Sequence, residues 1–134
     1  MKAKEFDAKG SYAQACQVGL GAVHMSASNA GITQYNTGDF GRAGGLFDLS
    51  AEIASAFEAT DTMALYNSAL CYEKAGNLEL AVARYQACAG IEYQVPNVFL
   101  FISNLYRTSG QEDMALQTLA DARKTYPREQ SLII

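Results

Sequence analysis

The segment from Leu65 to Cys88 most constrains the fold, because it carries two apolar stripes on either side of one turn signal. Leu65, Ala69 and Tyr72 recur at spacings of four and three, Leu78, Ala81, Tyr85 and Cys88 at three, four and three, and Gly76-Asn77 separates the two sets. Apolar residues three and four apart share one face of an α-helix, and a Gly-Asn pair interrupts the run. The segment therefore reads as a helix, a turn and a second helix. Adding 34 to these positions lands on the same pattern: Phe99 stands for Leu65, Tyr106 for Tyr72, Gly110 for Gly76, Ala115 for Ala81, Leu119 for Tyr85 and Ala122 for Cys88. The chain repeats itself.

A 34-residue period with an aromatic four before the turn glycine, an alanine five after it and a large apolar residue nine after it resembles the tetratricopeptide repeat. Pro127, closing the second copy, fits the same pattern. The resemblance implies an all-α fold, a right-handed α-solenoid of antiparallel helix hairpins, with residues 1–134 as a single domain. On this reading 1–24 is a partial repeat, 25–59, 60–94 and 95–127 are repeats, and 128–134 starts a further helix. The packing logic is steric: small Ala81 and Ala115 let the helices of one hairpin approach closely, while the aromatics fill the gap to the next.

The earlier copies are less regular. Phe6, Gly10 and Ala15 repeat the aromatic, glycine and alanine positions, and Gly38, Ala43 and Phe47 repeat the glycine, alanine and large apolar ones, for a copy spanning roughly Met25 to Phe57. Gly38 lies 38 residues before Gly76, four more than the period, which predicts one extra turn on the helix running towards Phe57 and a cap at Thr60 or Asp61. Gly10 lies only 28 before Gly38. Either the loop near Val23 to Ser26 is almost absent, or one helix over 11–36 is interrupted at Gly19 and Gly21, which helix propensity favours. Gly38, Gly41, Gly44 and Gly45 superficially resemble a phosphate-cradling loop. Such a loop follows a strand, and Ile32 to Asn36 does not read as one, so the glycines are expected to serve close helix packing. Later, Pro96 suits the first turn of its helix. Gln130 to Ile134 begins a helix that is not completed, so the array is open at both ends and reads as part of a longer protein.

The 134 residues carry 10 Lys and Arg against 14 Asp and Glu, a net charge of −4, without a basic cluster. That balance argues against a nucleic-acid partner. No apolar run approaches the roughly 18 to 20 residues of a membrane span, and residues after Lys4 are acidic and polar, so no direct membrane insertion is expected. The expectation is a soluble chain, with cytoplasm and bacterial periplasm both open. Cys16, Cys71 and Cys88 lack the close pairing of a redox or metal motif and read as buried packing thiols. With His24 as the sole histidine, neither a zinc site nor a nucleophile with its base is expected, and His24 reads as a helix-end or interhelix residue. Glu79, Glu112 and Asp113 follow turn glycines, where acids favour helix starts. No catalysis, cofactor or metal is therefore expected.

In the repeat family, the first helices of successive hairpins line a concave groove for an extended peptide or a partner helix. Counting back from each turn glycine places Met25, Ser28, Asn29, Ile32, Tyr35 and Asn36 on its wall, then Met63, Tyr66, Asn67, Leu70, Glu73 and Lys74, then Asn97, Leu100, Phe101, Asn104, Arg107 and Thr108. The candidate contact residues are Tyr35, Asn36, Tyr66, Asn67, Leu70, Lys74, Asn97, Phe101, Asn104 and Arg107. Tyr35, Tyr66, Leu100 and Phe101 would give apolar contact, and Asn67 and Asn104 would bond a peptide backbone. The same spacing suits packing between hairpins, so Tyr66 and Phe101 have two readings. One branch of the family clamps a chaperone's terminal carboxylate. Of the matching positions Ser28, Ile32, Asn67, Asn97 and Phe101 only Asn67 agrees and no cation is present, so that ligand is not expected. The function expected is a non-catalytic module for a protein or peptide partner. The alternative is a structural spacer or a self-associating segment of a larger, envelope-type protein, joined as a homo-oligomer through uncapped ends at Phe6, Leu116, Leu119 and Leu132.

Overall fold

In the computed structural model, residues 21–93 and 95–129 are described. Among them run six helices: α1 over 21–37, α2 over Phe40–Ala56, α3 over Thr62–Ala75, α4 over Leu78–Gly90, α5 over Asn97–Thr108 and α6 over Glu112–Thr125. They form three antiparallel hairpins, α1 with α2, α3 with α4 and α5 with α6, stacked in chain order into an α-solenoid. Among the described residues no strand occurs and no helix is long and apolar enough to cross a membrane.

The turns repeat with the sequence. Gly38, Gly76 and Gly110 all take positive φ, between 79° and 89°, a region that costs a residue with a Cβ but not glycine. In each, the glycine N–H and the next N–H bond back to the preceding helix, as from Gly76 to Glu73 and from Asn77 to Tyr72. Asp39, Asp61 and Asn77 then cap α2, α3 and α4, each side chain accepting from the N–H three residues on. At the far ends of α2 and α4, Glu58 and Glu92, 34 residues apart, also take positive φ and close the helices.

Packing follows the expected stripes. Ala81 and Ala115 are wholly buried where their hairpins close, and Ser103 donates to the Ala115 carbonyl at 3.1 Å. Where α3, α4 and α5 meet lies the largest buried cluster among the described residues, built from Ala69, Val82, Tyr85, Cys88, Val98 and Ile102. The extra turn is present: α2 has 17 residues against 13 in α4, and Asp61 caps the helix that follows.

Several expectations need correction. Gly21, where an interruption was expected, is itself within helix, and residues 23–26 are helical, which agrees with the alternative of a loop almost absent there; Gly19 lies outside the described residues, as do Phe6, Gly10, Ala15, Cys16 and Leu132. Close packing explains only one of the three α2 glycines. A Cβ on Gly44 would come within 2.9 Å of the Tyr72 ring, whereas one on Gly41 or Gly45 would meet nothing within 4 Å. Gly31, which had no such role assigned, is similarly confined, since a Cβ there would come within 3.1 Å of the Phe47 ring. Pro96 stands at the N-cap of α5, one residue outside the helix. Leu119 is buried with Ala122 against Phe99, Leu100 and Tyr126, so it is not part of an open end, while Leu116 remains exposed.

Candidate functional site

On the face shared by α1 and α3, Ile32 and Tyr35 stand three apart on one helix and Asn67 and Leu70 three apart on the other. Each pair therefore points one way. Together with Phe47 of α2, they line a cleft of about 270 Å³. Phe47 reaches its place because Gly31 leaves room for its ring, and it is buried, whereas Ile32 and Tyr35 stay 49% and 36% exposed. Apolar rings and branched chains left in solvent at a concave spot gain by covering it. Among the described residues the Asn67 amide has no hydrogen-bond partner, so both its donor and its acceptor are available.

Lys74 continues the Asn67 and Leu70 face of α3. Its Nζ lies 5.8 Å from the Tyr35 ring centroid and 5.5 Å from that of Phe40, and these two rings meet edge to face at 5.3 Å. Cation, aromatic pair and cleft therefore form one continuous surface.

The other candidate residues are placed differently. Tyr66 and Phe101 belong to an aromatic layer between the second and third hairpins, with Tyr66 at 6.1 Å from Tyr85, 5.8 Å from Tyr93 and 6.4 Å from Phe101, and Phe101 at 5.5 Å from Tyr85. Both keep part of their surface in solvent, so packing takes most of each ring and leaves an edge. Burial raises the Tyr66 phenol, helped by the neighbouring Tyr93 and Glu73. Tyr85, fully buried and donating to Glu73 at 2.9 Å, is raised much further, first by burial and then by that bond, so these two phenols stay neutral. Asn36, Asn97 and Asn104 are exposed on their helices and lie outside the cleft. Arg107 is exposed and turns towards Glu112 at 3.7 Å.

Two polar networks had no counterpart in the sequence reading. Asp48 of α2 receives a two-pronged contact from Arg84 of α4, at 2.7 and 2.9 Å, with Ser68 donating at 2.5 Å and Tyr72 at 2.9 Å from α3. Burial pushes the Asp48 pKa up, but these donors outweigh it and hold the carboxyl below its ordinary value. The Tyr72 phenol is pushed up to about 12 by burial and by its bond to Asp48. In the second network Asp61 accepts from the Ala64 N–H, from His24 at 2.7 Å and from Ser50 at 3.1 Å, and Ser50 accepts from Ser28 at 2.7 Å. Burial raises the Asp61 pKa, and the bonds from Ala64, His24 and Ser50 again bring it below the ordinary range. His24 is thus an interhelix residue joining α1 to the start of α3.

Neither network presents a reactive atom. Ser50 and Ser68 are buried with their hydroxyls donated to carboxylates. Burial pushes the Cys71 and Cys88 thiols up to about 11, which keeps them protonated near neutrality, and they are free. Among the described residues no three His, Cys, Asp or Glu side chains converge as metal ligands. What the surface offers chemically is shape, apolar contact, an amide and a cation.

No protein-family profile matches the sequence, and no curated protein matches it. Solved structures do. A TPR repeats protein from Bacteroides fragilis superposes with a TM-score of 0.67 at 17% identity, over 81% of this chain and 47% of that one. This chain thus spans about half the length of the Bacteroides protein. PcrH, solved in complex with the chaperone binding region of PopB, superposes with a TM-score of 0.60 at 17% identity, over 81% of this chain and 85% of PcrH. The architecture is therefore that of a TPR-like helical repeat.

Proposed function

We propose that the chain is a non-catalytic protein-interaction module that takes an extended segment or a helix of a partner protein along the face of α1, α3 and α5. The observation that carries this reading is the cleft between α1 and α3, in which Ile32, Tyr35, Phe47 and Leu70 surround the unpartnered amide of Asn67. A large apolar side chain entering it would displace water from four apolar walls, while Asn67 bonds the backbone on either side of that residue. In this reading Asn97, Phe101, Asn104 and Arg107 extend the surface along α5, Tyr66 adds an exposed edge, and Asn36 borders the start. The contributing repeats are taken as 25–59, 60–94 and 95–127. PcrH supports the reading at the level of architecture, because a similar stack was solved with a segment of another protein.

Selection from a random peptide library displayed on phage tests it. Peptides enriched on the wild-type chain are expected to lose about 30-fold or more in affinity on Leu70→Asp, the cost of disrupting a binding hot spot. Circular dichroism and the melting temperature of the variant verify that the stack persists. Affinities that survive Leu70→Asp in a folded variant, or a selection that enriches nothing, would sink the reading.

A further inference from the structure

We infer that the partner segment carries an Asp or Glu close to the apolar side chain that enters the cleft, and that Lys74 receives that carboxylate. The inference rests on the groove reading and adds the charge of the ligand to it. Asn67, Leu70 and Lys74 stand at i, i+3 and i+7 on α3, so they form one row along a single helix face. The row begins with the cleft amide, passes its apolar wall and ends on the ammonium. Tyr35 joins the two parts, since it lines the cleft and lies beneath the Lys74 Nζ at 5.8 Å.

Lys74 is held in a way its neighbours are not. Arg84 and Arg107 each have a carboxylate partner, at 2.7 and 3.7 Å. Among the described residues Lys74 has none: the adjacent Glu73 is taken by Tyr85, and at the neighbouring α2 Asp48 is held by Arg84 and Asp39 by the Arg42 N–H. The Tyr35 and Phe40 rings therefore support the ammonium of an exposed residue. A lysine that only neutralised the C-terminal end of α3 would need no such pair of rings. Ring contact also restricts the chain, so an incoming carboxylate meets a cation already partly positioned, beside apolar surface where the attraction is less screened than in open water. Overall the protein is acidic, with a net charge of −4, so an acidic segment is attracted only locally and the site discriminates by position.

The opposite arrangement is a distinct outcome: a partner's own cation could take the Tyr35–Phe40 rings and expel Lys74. The probe is the peptide enriched on the wild-type chain, synthesised with its acidic residue intact, replaced by Gln and replaced by Lys, and measured on wild type, Lys74→Glu, Lys74→Ala and Leu70→Asp at low and high salt. The inference expects the acidic peptide to lose about fivefold on Lys74→Glu, the Lys-substituted peptide to regain it on that variant, and high salt to narrow both differences. It is overturned if the affinity on Lys74→Glu stays within about twofold of wild type, or if Lys74→Ala binds the Lys-substituted peptide more tightly than the acidic one. With Leu70→Asp still costing about 30-fold or more, those results remove the acidic preference and leave the groove reading standing. Binding that survives Leu70→Asp removes the groove reading itself.

Discussion

Asp48 gathers donors from two further helices, with Ser68, Tyr72 and Arg84 lying 20, 24 and 36 residues along the chain. Asp48→Asn removes the charge that offsets Arg84 in a site where the two side chains are only 18% and 30% exposed. The expected loss is about 1 to 3 kcal/mol in urea unfolding, less than for a fully buried pair because water still reaches the guanidinium. Because the folded-state pKa of Asp48 lies below the ordinary value of 3.8, the ionised group contributes stability above that value and loses it as pH falls through the folded pKa. The gap between wild type and variant should therefore be constant near neutrality and shrink below about pH 4. A gap that widens in acid would contradict the assignment. This network was illegible in the sequence because its spacings match no helical or strand period, and only the stacking of hairpins brings the four groups together. The Asn67 and Leu70 positions, by contrast, could be counted from Gly76 because they depend on one helix alone.

The approach of α2 to α3 is set by a glycine that periodicity could not distinguish from its neighbours. Gly44 lies against the Tyr72 ring, and Gly45, the next residue, faces open space. Gly44→Ala should destabilise by about 1 to 3 kcal/mol, since the ring is pinned by its bond to Asp48 and cannot withdraw freely. Gly45→Ala should instead stabilise by about 0.5 to 1 kcal/mol, because alanine is the better helix former and displaces nothing. Thermal melts of the two variants are expected to move in opposite directions, and a shift of the same sign would refute the packing described for α2. At this scale the helices and turns were readable because Gly38, Gly76 and Gly110 all mark positive-φ turns and the apolar stripes flank them. Which face of a glycine meets a neighbour was not, since the reading of α2 treated Gly41, Gly44 and Gly45 alike. Phe47 was placed as a stripe residue, and its part in the cleft follows from Gly31 on another helix.

Across the whole molecule, each hairpin touches its neighbours in the stack, so stability is divided among interfaces that can fail separately. The layer of Tyr66, Tyr85, Tyr93 and Phe101 is one such interface. Phe101→Ala should cost about 2 kcal/mol, below the range for a fully buried Phe because the ring is only partly covered. Hydrogen exchange is expected to show α5 and α6 losing protection while α2 and α3 keep theirs. Uniform loss across all helices would mean that the stack unfolds as one unit. The open-end expectation met a physical limit here: Leu119 has the spacing of an exposed stripe residue, yet α5 and Tyr126 cover it. A further consequence belongs to α2, whose 17 residues exceed the 13 of α4. At 1.5 Å per residue the difference is about 6 Å, a step that a uniform array lacks. A ligand with evenly spaced side chains could shift along identical hairpins and find the same surroundings at each stop. The step makes the α1–α2 hairpin unlike the α3–α4 hairpin, so a segment bound as proposed above would not find one hairpin's surroundings repeated at the next.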